Sequence, residues 1–277
     1  EPYGALLQPA LQAPSPSCTC CDPATWSDLH CAKKALDALE RLLTEHAAEV
    51  AAVIIEPLCQ AAAGMRFYPP QYLKGLRQAC DRNDVLLIAD EIAVGFGRTG
   101  RTFACDHASM VPDLLCLGKA LTAGYLPMSA LVVRDAVHDV FRGASHSSRV
   151  LWDGHTFCGN PITAAAAVAA LEVYEKEQLP PAARMQLLRD GMHALEAHPA
   201  VAYQRSLGMI GMCAIKEEAG GAAYARGVCA RALELGLFIR PLGEVLYLWP
   251  ALNIEGGHLR QMFEILIDAL DGKDGKA

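Results

Sequence analysis

Lys119 is the only charged residue between Asp113 and Arg134, and it follows the apolar run Leu114, Leu115, Cys116, Leu117 and then Gly118. Two other apolar runs also end on charge: "VAAVIIEP" on Glu56, and "VLLIADE" on Asp90 and Glu91. Loss of water favours the neutral, nucleophilic form of an amine, and such a lysine can form a Schiff base with an aldehyde. A carboxylate nearby can hold a pyridine nitrogen protonated. A covalent anchor and a partner for the electron sink are the two protein groups that pyridoxal phosphate most needs. A structural Asp90–Lys119 ion pair would satisfy the same two charges. Spacing alone leaves both readings open.

These charges need a scaffold that brings the three runs together. Each run is short and ends abruptly, as a buried strand does. Asp90 and Lys119 are separated by about one helix-containing crossover, so adjacent parallel strands can carry them. Helical segments lie between and around the runs. Residues 31–48 place Leu36, Leu39, Leu42 and Leu43 at helical spacing; "PPQYLKGLRQACDRND" starts on proline and puts Leu73, Leu76 and Cys80 on one face. The pattern predicts an α/β fold, with a mostly parallel sheet covered on both faces and its ligand edge at the carboxyl ends of the strands. "GNPITAAAAVAALEVYEKEQL" reads as a helix capped by Asn160. After it come helices near 181–197 and 221–235, β-like runs "LFIRP" and "VLYLWP", and a last helix with Leu259, Met262, Phe263, Leu266 and Leu270 on one face. The expected division is a large cofactor-binding domain over 1–165 and a smaller C-terminal α+β domain over 166–277.

Composition narrows the partners. The 277 residues are 52% hydrophobic and 20% charged, with a net charge of −7 and no long basic run. Nucleic acid and anionic membrane surfaces are therefore excluded as partners, and no stretch has the length of a membrane span. The eleven cysteines are odd in number and scattered, which suits reduced thiols in a cytoplasmic protein. Cys18, Cys20, Cys21, His30 and Cys31 cluster, but without the paired C-x-x-C form of common zinc modules. No metal is assigned.

The block "LLIADEIAVGFGRTGRTFACDHASMVPDLLCLGKALTAGYLPMSA" resembles the core of the class III pyridoxal-phosphate aminotransferases. "IIEPLCQ" before it and "DGHTFCGNPITAAAA" after it are similar to the same family. The resemblance implies the fold type I architecture of pyridoxal-phosphate transferases. It makes Lys119 the Schiff-base lysine and proton shuttle, Asp90 the partner of the pyridine nitrogen, and Ile92 a packing group on the ring face. Gly154, His155 and Thr156 fall in the G-x-T-F stretch, whose threonine reaches the cofactor phosphate of a neighbouring subunit, implying a homodimer with shared sites. Arg240 would clamp a substrate carboxylate, with Tyr247 close by. Arg98 is a carboxylate-binding or structural arginine, Glu56 and Gln60 order the site, and Tyr125 and His107 have no assigned role. Within the family, "FACDHASMVPDLLCLGKALT" and "IRPLGEVLYLWP" look most like the members that aminate 8-amino-7-oxononanoate in biotin biosynthesis, with S-adenosylmethionine as donor. Another ω-aminotransferase using a 2-oxo acid, and a truncated non-catalytic homologue, are the alternatives. Members also carry a further N-terminal region, with a Gly-Ser turn for the phosphate and an aromatic on the ring. Residues 1–277 do not include that region.

Overall fold

The computed structural model describes residues 9–17, 29–142, 149–151 and 153–272. In chain order the elements are α1 (His30–Glu45), β1 (Ala52–Ile55), β2 (Cys59–Gln60), β3 (Arg66–Phe67), α2 (Pro70–Arg82), β4 (Leu86–Asp90), β5 (Leu114–Leu117), β6 (Ala130–Val133), α3 (Asp135–His138), α4 (Pro161–Glu177), α5 (Ala182–Leu195), β7 (Val201–Leu207), β8 (Ile210–Ile215), α6 (Gly221–Glu234), β9 (Pro241–Leu242), β10 (Val245–Leu248) and α7 (Gly256–Leu270).

The first sheet has the order β1-β4-β5-β6. Strands β1, β4 and β5 are parallel and β6 returns antiparallel to β5. The carboxyl ends of the three parallel strands therefore share one edge. Helix α2 begins with Pro70 in its first turn, where the missing N–H costs nothing, and buries Leu73, Leu76, Ala79 and Cys80. These join Leu39 and Leu43 of α1 and Ile55, Leu87 and Ala89 of the sheet in one core. The expected cover on both faces does not appear among the described residues. Ile54 is 65% exposed and Leu131 55%, while Leu86, Ile88 and Leu114 are half-buried. Burial alternates along β4, whereas β1 and β5 are buried only at their last residues.

Buried Asp113 ties the amino-terminal edge of this sheet together. It accepts from the Leu87 N–H at 2.7 Å and pairs with Arg77 of α2 at 2.7 Å and with Arg134, just past β6. Burial alone would raise this carboxyl; the Leu87 N–H and the two arginines outweigh burial and hold it below the usual range.

The second sheet is antiparallel, with the order β7-β8-β10-β9. Every residue of β8 is buried. One face packs Cys213, Ile215, Leu246 and Leu248 against α5, α6 and α7 through Leu188, Met192, Val228, Leu259, Phe263 and Leu266. The other face adds Ile210, Met212, Ala214 and Val245 to the core of the first sheet. The β7–β8 hairpin has no counterpart in the sequence reading, because Gly208, Gly211 and polar Gln204–Ser206 break the apolar pattern. "LFIRP" is not a strand: residues 237–240 are irregular, and only Pro241–Leu242 pairs with β10 before Gly243 turns with a positive φ of 64°.

The word "GFGRTG" joins the two sheets. Arg98 is 9% exposed; it donates to the carbonyls of Met209 at 3.1 Å and Pro250 at 2.6 Å and lies over the Trp249 ring. Met209 N–H returns a bond to the Arg98 carbonyl. The hairpin turn presses so close that a Cβ on Gly208 would stand 2.3 Å from the Thr99 carbonyl carbon, and φ there is +59°. Glycine is the residue this contact tolerates.

Candidate active site

The site is built at the shared carboxyl edge of β1, β4 and β5. Asp90 is the last residue of β4 and is half-buried. Its Oδ1 accepts the Ile92 N–H at 3.0 Å, which fixes the carboxylate over the turn that follows. In register beside it stands Cys116 of β5, whose thiol is raised by burial and then by Asp90. Gly118 and Lys119 come directly after β5. Gly118 is buried, and a Cβ there would come within 3.2 Å of Ile92 Cγ2, so Ile92 and the Gly118 backbone share one tight wall.

Lys119 opens a 3-10 turn, Lys119–Thr122, with φ +42°. The left-handed region costs a non-glycine residue on the order of 1–2 kcal/mol. Leu121 N–H to the Gly118 carbonyl at 2.9 Å and Gly124 N–H to the Lys119 carbonyl at 3.3 Å hold the turn. Its side chain is exposed, not enclosed by apolar groups as the sequence pattern suggests. The apolar run buries the strand, while the turn lifts the amine past the sheet edge.

Glu91, next to Asp90, points to the opposite face and is fully buried. Its two carboxylate oxygens accept the N–H groups of Ala104 and Cys105 at 2.8 Å each. Burial raises this carboxyl, and the two N–H groups oppose the rise. The sequence reading gave Glu91 no task; the carboxylate anchors the loop that returns from "GFGRTG". Arg98 resolves as a structural arginine: burial without an acidic partner lowers it to about 10. His107 is packed against Thr99, and burial lowers its pKa. Tyr125 is 85% exposed.

The remaining candidates lie apart. Gly154, His155 and Thr156 are exposed in the segment before α4. That segment is shaped by local bonds: Phe157 N–H to His155 Nδ1 at 3.2 Å, and Ile162 N–H to the capping Asn160 Oδ1 at 2.9 Å. Arg240 and Tyr247 meet in the second unit, with Arg240 Nη2 donating to the Tyr247 hydroxyl at 3.2 Å. Among the described residues no hydrogen bond or ion pair joins either group to Asp90 or Lys119. Gln60 accepts from Ser15 Oγ. Cys18, Cys20 and Cys21 lie outside the described residues.

Residues 5–270 match the Aminotransferase class-III family. The adenosylmethionine-8-amino-7-oxononanoate aminotransferase of Geobacter sulfurreducens is 38% identical over 282 residues, covering 97% of this chain and 60% of that protein. The protein of the same name from Nitratidesulfovibrio vulgaris is 39% identical, over 97% of this chain and 51% of its own length. Among solved structures, the adenosylmethionine-8-amino-7-oxononanoate aminotransferase of Methanocaldococcus jannaschii superposes with a TM-score of 0.81 at 35% identity, covering 87% of this chain and 58% of that one. The ω-transaminase of Pseudomonas jessenii in complex with PMP gives 0.82 at 30% identity, over 88% and 56%. The chain thus spans a little over half the length of these relatives. With a family match along nearly its whole length, and with its strand-end charges set on that family's sheet, this chain belongs to the class III aminotransferases.

Proposed function

We propose that this chain carries the lysine side of a pyridoxal-phosphate site, and that the protein it represents transfers an amino group from S-adenosylmethionine to 8-amino-7-oxononanoate. The carrying observation is the placement of Asp90 at the end of β4 and of Lys119 just past the end of the neighbouring parallel strand β5, in a chain similar to enzymes of that name. The donor set fits the pyridine end of the cofactor: an anionic oxygen for the ring nitrogen, an accessible primary amine, and the Ile92–Gly118 wall for the ring face. When bound, pyridoxal phosphate supplies an electron sink that eases loss of a proton from the carbon beside the substrate nitrogen.

The chain's own groups do the rest. Lys119 Nζ would anchor the cofactor and would hold and return the proton. Asp90 keeps the ring nitrogen protonated. Thr156, with His155 beside it, would hold the cofactor phosphate of a partner subunit in a homodimer. Arg240, steadied by the Tyr247 hydroxyl, offers two parallel N–H donors to the acceptor's carboxylate. Gly154 leaves room for substrate. We place the cofactor domain at 1–165 and the C-terminal domain at 166–277, in a cytoplasmic enzyme of biotin biosynthesis. No described helix is long and apolar enough to cross a membrane.

A second reading, a different ω-transaminase, draws on the equally good superposition with the Pseudomonas jessenii structure. One experiment separates them. The chain is loaded with pyridoxal phosphate, and its visible absorption is recorded on addition of S-adenosylmethionine or of simple ω-amines. A change with S-adenosylmethionine supports the first reading. A change with the amines alone replaces it with the second.

A further inference from the structure

Strand β1 ends at Ile55, which is in register with Ala89 of β4, while Asp90 is in register with Cys116 of β5. One more step along the parallel pair sets Glu56 opposite Asp90. In-register neighbours on parallel strands point to the same face. Glu56 therefore stands on the Asp90 side of the sheet, on the strand away from Cys116. Its backbone is fixed from both directions: the buried Tyr68 hydroxyl donates to the Glu56 carbonyl, and Pro57 follows. The groups facing its half-buried side chain are Asp90 from β4, Lys119 from the turn after β5, and the Ala61 N–H and Cys59 thiol from its own connection. Two carboxyl groups and one lysine amine thus share an edge whose proposed reaction requires an anion beside the pyridine nitrogen.

We propose that Glu56 is a positioning residue that forms a coupled carboxyl pair with Asp90, so that the negative charge presented toward Lys119 and the cofactor ring is set by the two side chains together. Two adjacent carboxylates ionise together only at a cost, and the one with less stabilisation retains the proton. The balance at Glu56 agrees. Burial raises its carboxyl first, Asp90 raises it further, and Lys119 and the Ala61 N–H offset only part of the rise. Asp90 for its part accepts the Ile92 N–H at 3.0 Å. The inference rests on the assignment of Asp90 and Lys119 made under the proposed function, which it deepens.

The test is a carboxyl titration of the full chain by carbon-13 NMR with labelled glutamate, the Glu56 signal being assigned by its loss in Glu56→Gln. The Glu56 midpoint is expected above those of the exposed glutamates, to fall in Asp90→Asn and to rise in Lys119→Ala. A midpoint unmoved in both variants overturns the proposal, because a carboxyl coupled to Asp90 and Lys119 must sense the loss of either charge. A second readout uses the cofactor. Glu56→Gln, which imitates the protonated carboxyl, keeps the wild-type affinity for pyridoxal phosphate at mildly acidic pH, whereas Glu56→Lys loses it; loss in both overturns the proposal. The two failures remain distinguishable. Coupled midpoints without cofactor binding contradict the functional reading alone. Cofactor binding with an uncoupled Glu56 contradicts this inference alone.

Discussion

The two sheets differ in how completely they are enclosed. In the second sheet, β8 is buried along its whole length, with α5, α6 and α7 on one side and the first core on the other. In the first sheet only the α1–α2 face is closed among the described residues, and Ile54 and Leu131 are mostly exposed. Yet the first sheet carries the charges that matter, at its carboxyl edge and toward its open face. Rigidity comes from the enclosed sheet and its Arg98 latch; the proposed chemistry lies on the sheet that is open among the described residues. A candidate site is expected to occupy the less stable part of a fold.

That contrast can be broken by mutation. The largest effect belongs to the enclosed unit. Leu266 is 1% exposed, and Leu266→Ala should remove about 3 kcal/mol of stability in a denaturant titration. Asp113→Asn comes next, with a loss of about 2 kcal/mol, since two arginines and the Leu87 N–H lose their common acceptor charge. Its pH signature has a definite sign. The folded carboxyl lies below its unfolded value, so its contribution is full above roughly pH 4 and disappears as pH falls through the folded value. Wild-type chain should lose stability on that acid limb, and Asp113→Asn should lose less. The smallest effect belongs to the open face: Ile54→Thr should change stability by less than about 0.5 kcal/mol while reducing self-association in sedimentation velocity. A loss of several kcal/mol at Ile54 would show that the open face is closed in solution.

Legibility in the sequence divides along related lines. The three apolar runs ending on Glu56, Asp90 and Lys119 are readable because a buried parallel strand tolerates charge only at its end. Helices α2 and α4 are readable from Pro70 and from Asn160 with Pro161, whose start signals are local. The β7–β8 hairpin is not readable: its glycines are dictated by what they touch, as Gly208 is by Thr99. Arg98 and Glu91 are ambiguous for the same reason. A buried guanidinium satisfied by distant carbonyls and a buried carboxylate satisfied by distant amides leave no mark in their neighbours' sequence. Lys119 shows the reverse error. Its neighbours are apolar, but a left-handed turn carries its side chain out of them.

The central claim is that Lys119 is the covalent anchor for pyridoxal phosphate, and trapping tests it most directly. The 277-residue chain is incubated with pyridoxal phosphate, reduced with borohydride, digested and examined by mass spectrometry. The account predicts a phosphopyridoxyl group on the peptide that contains Lys119, strongly reduced in Asp90→Asn and absent in Lys119→Ala. Labelling spread evenly over surface lysines, and unchanged in Lys119→Ala apart from that one peptide, would contradict it.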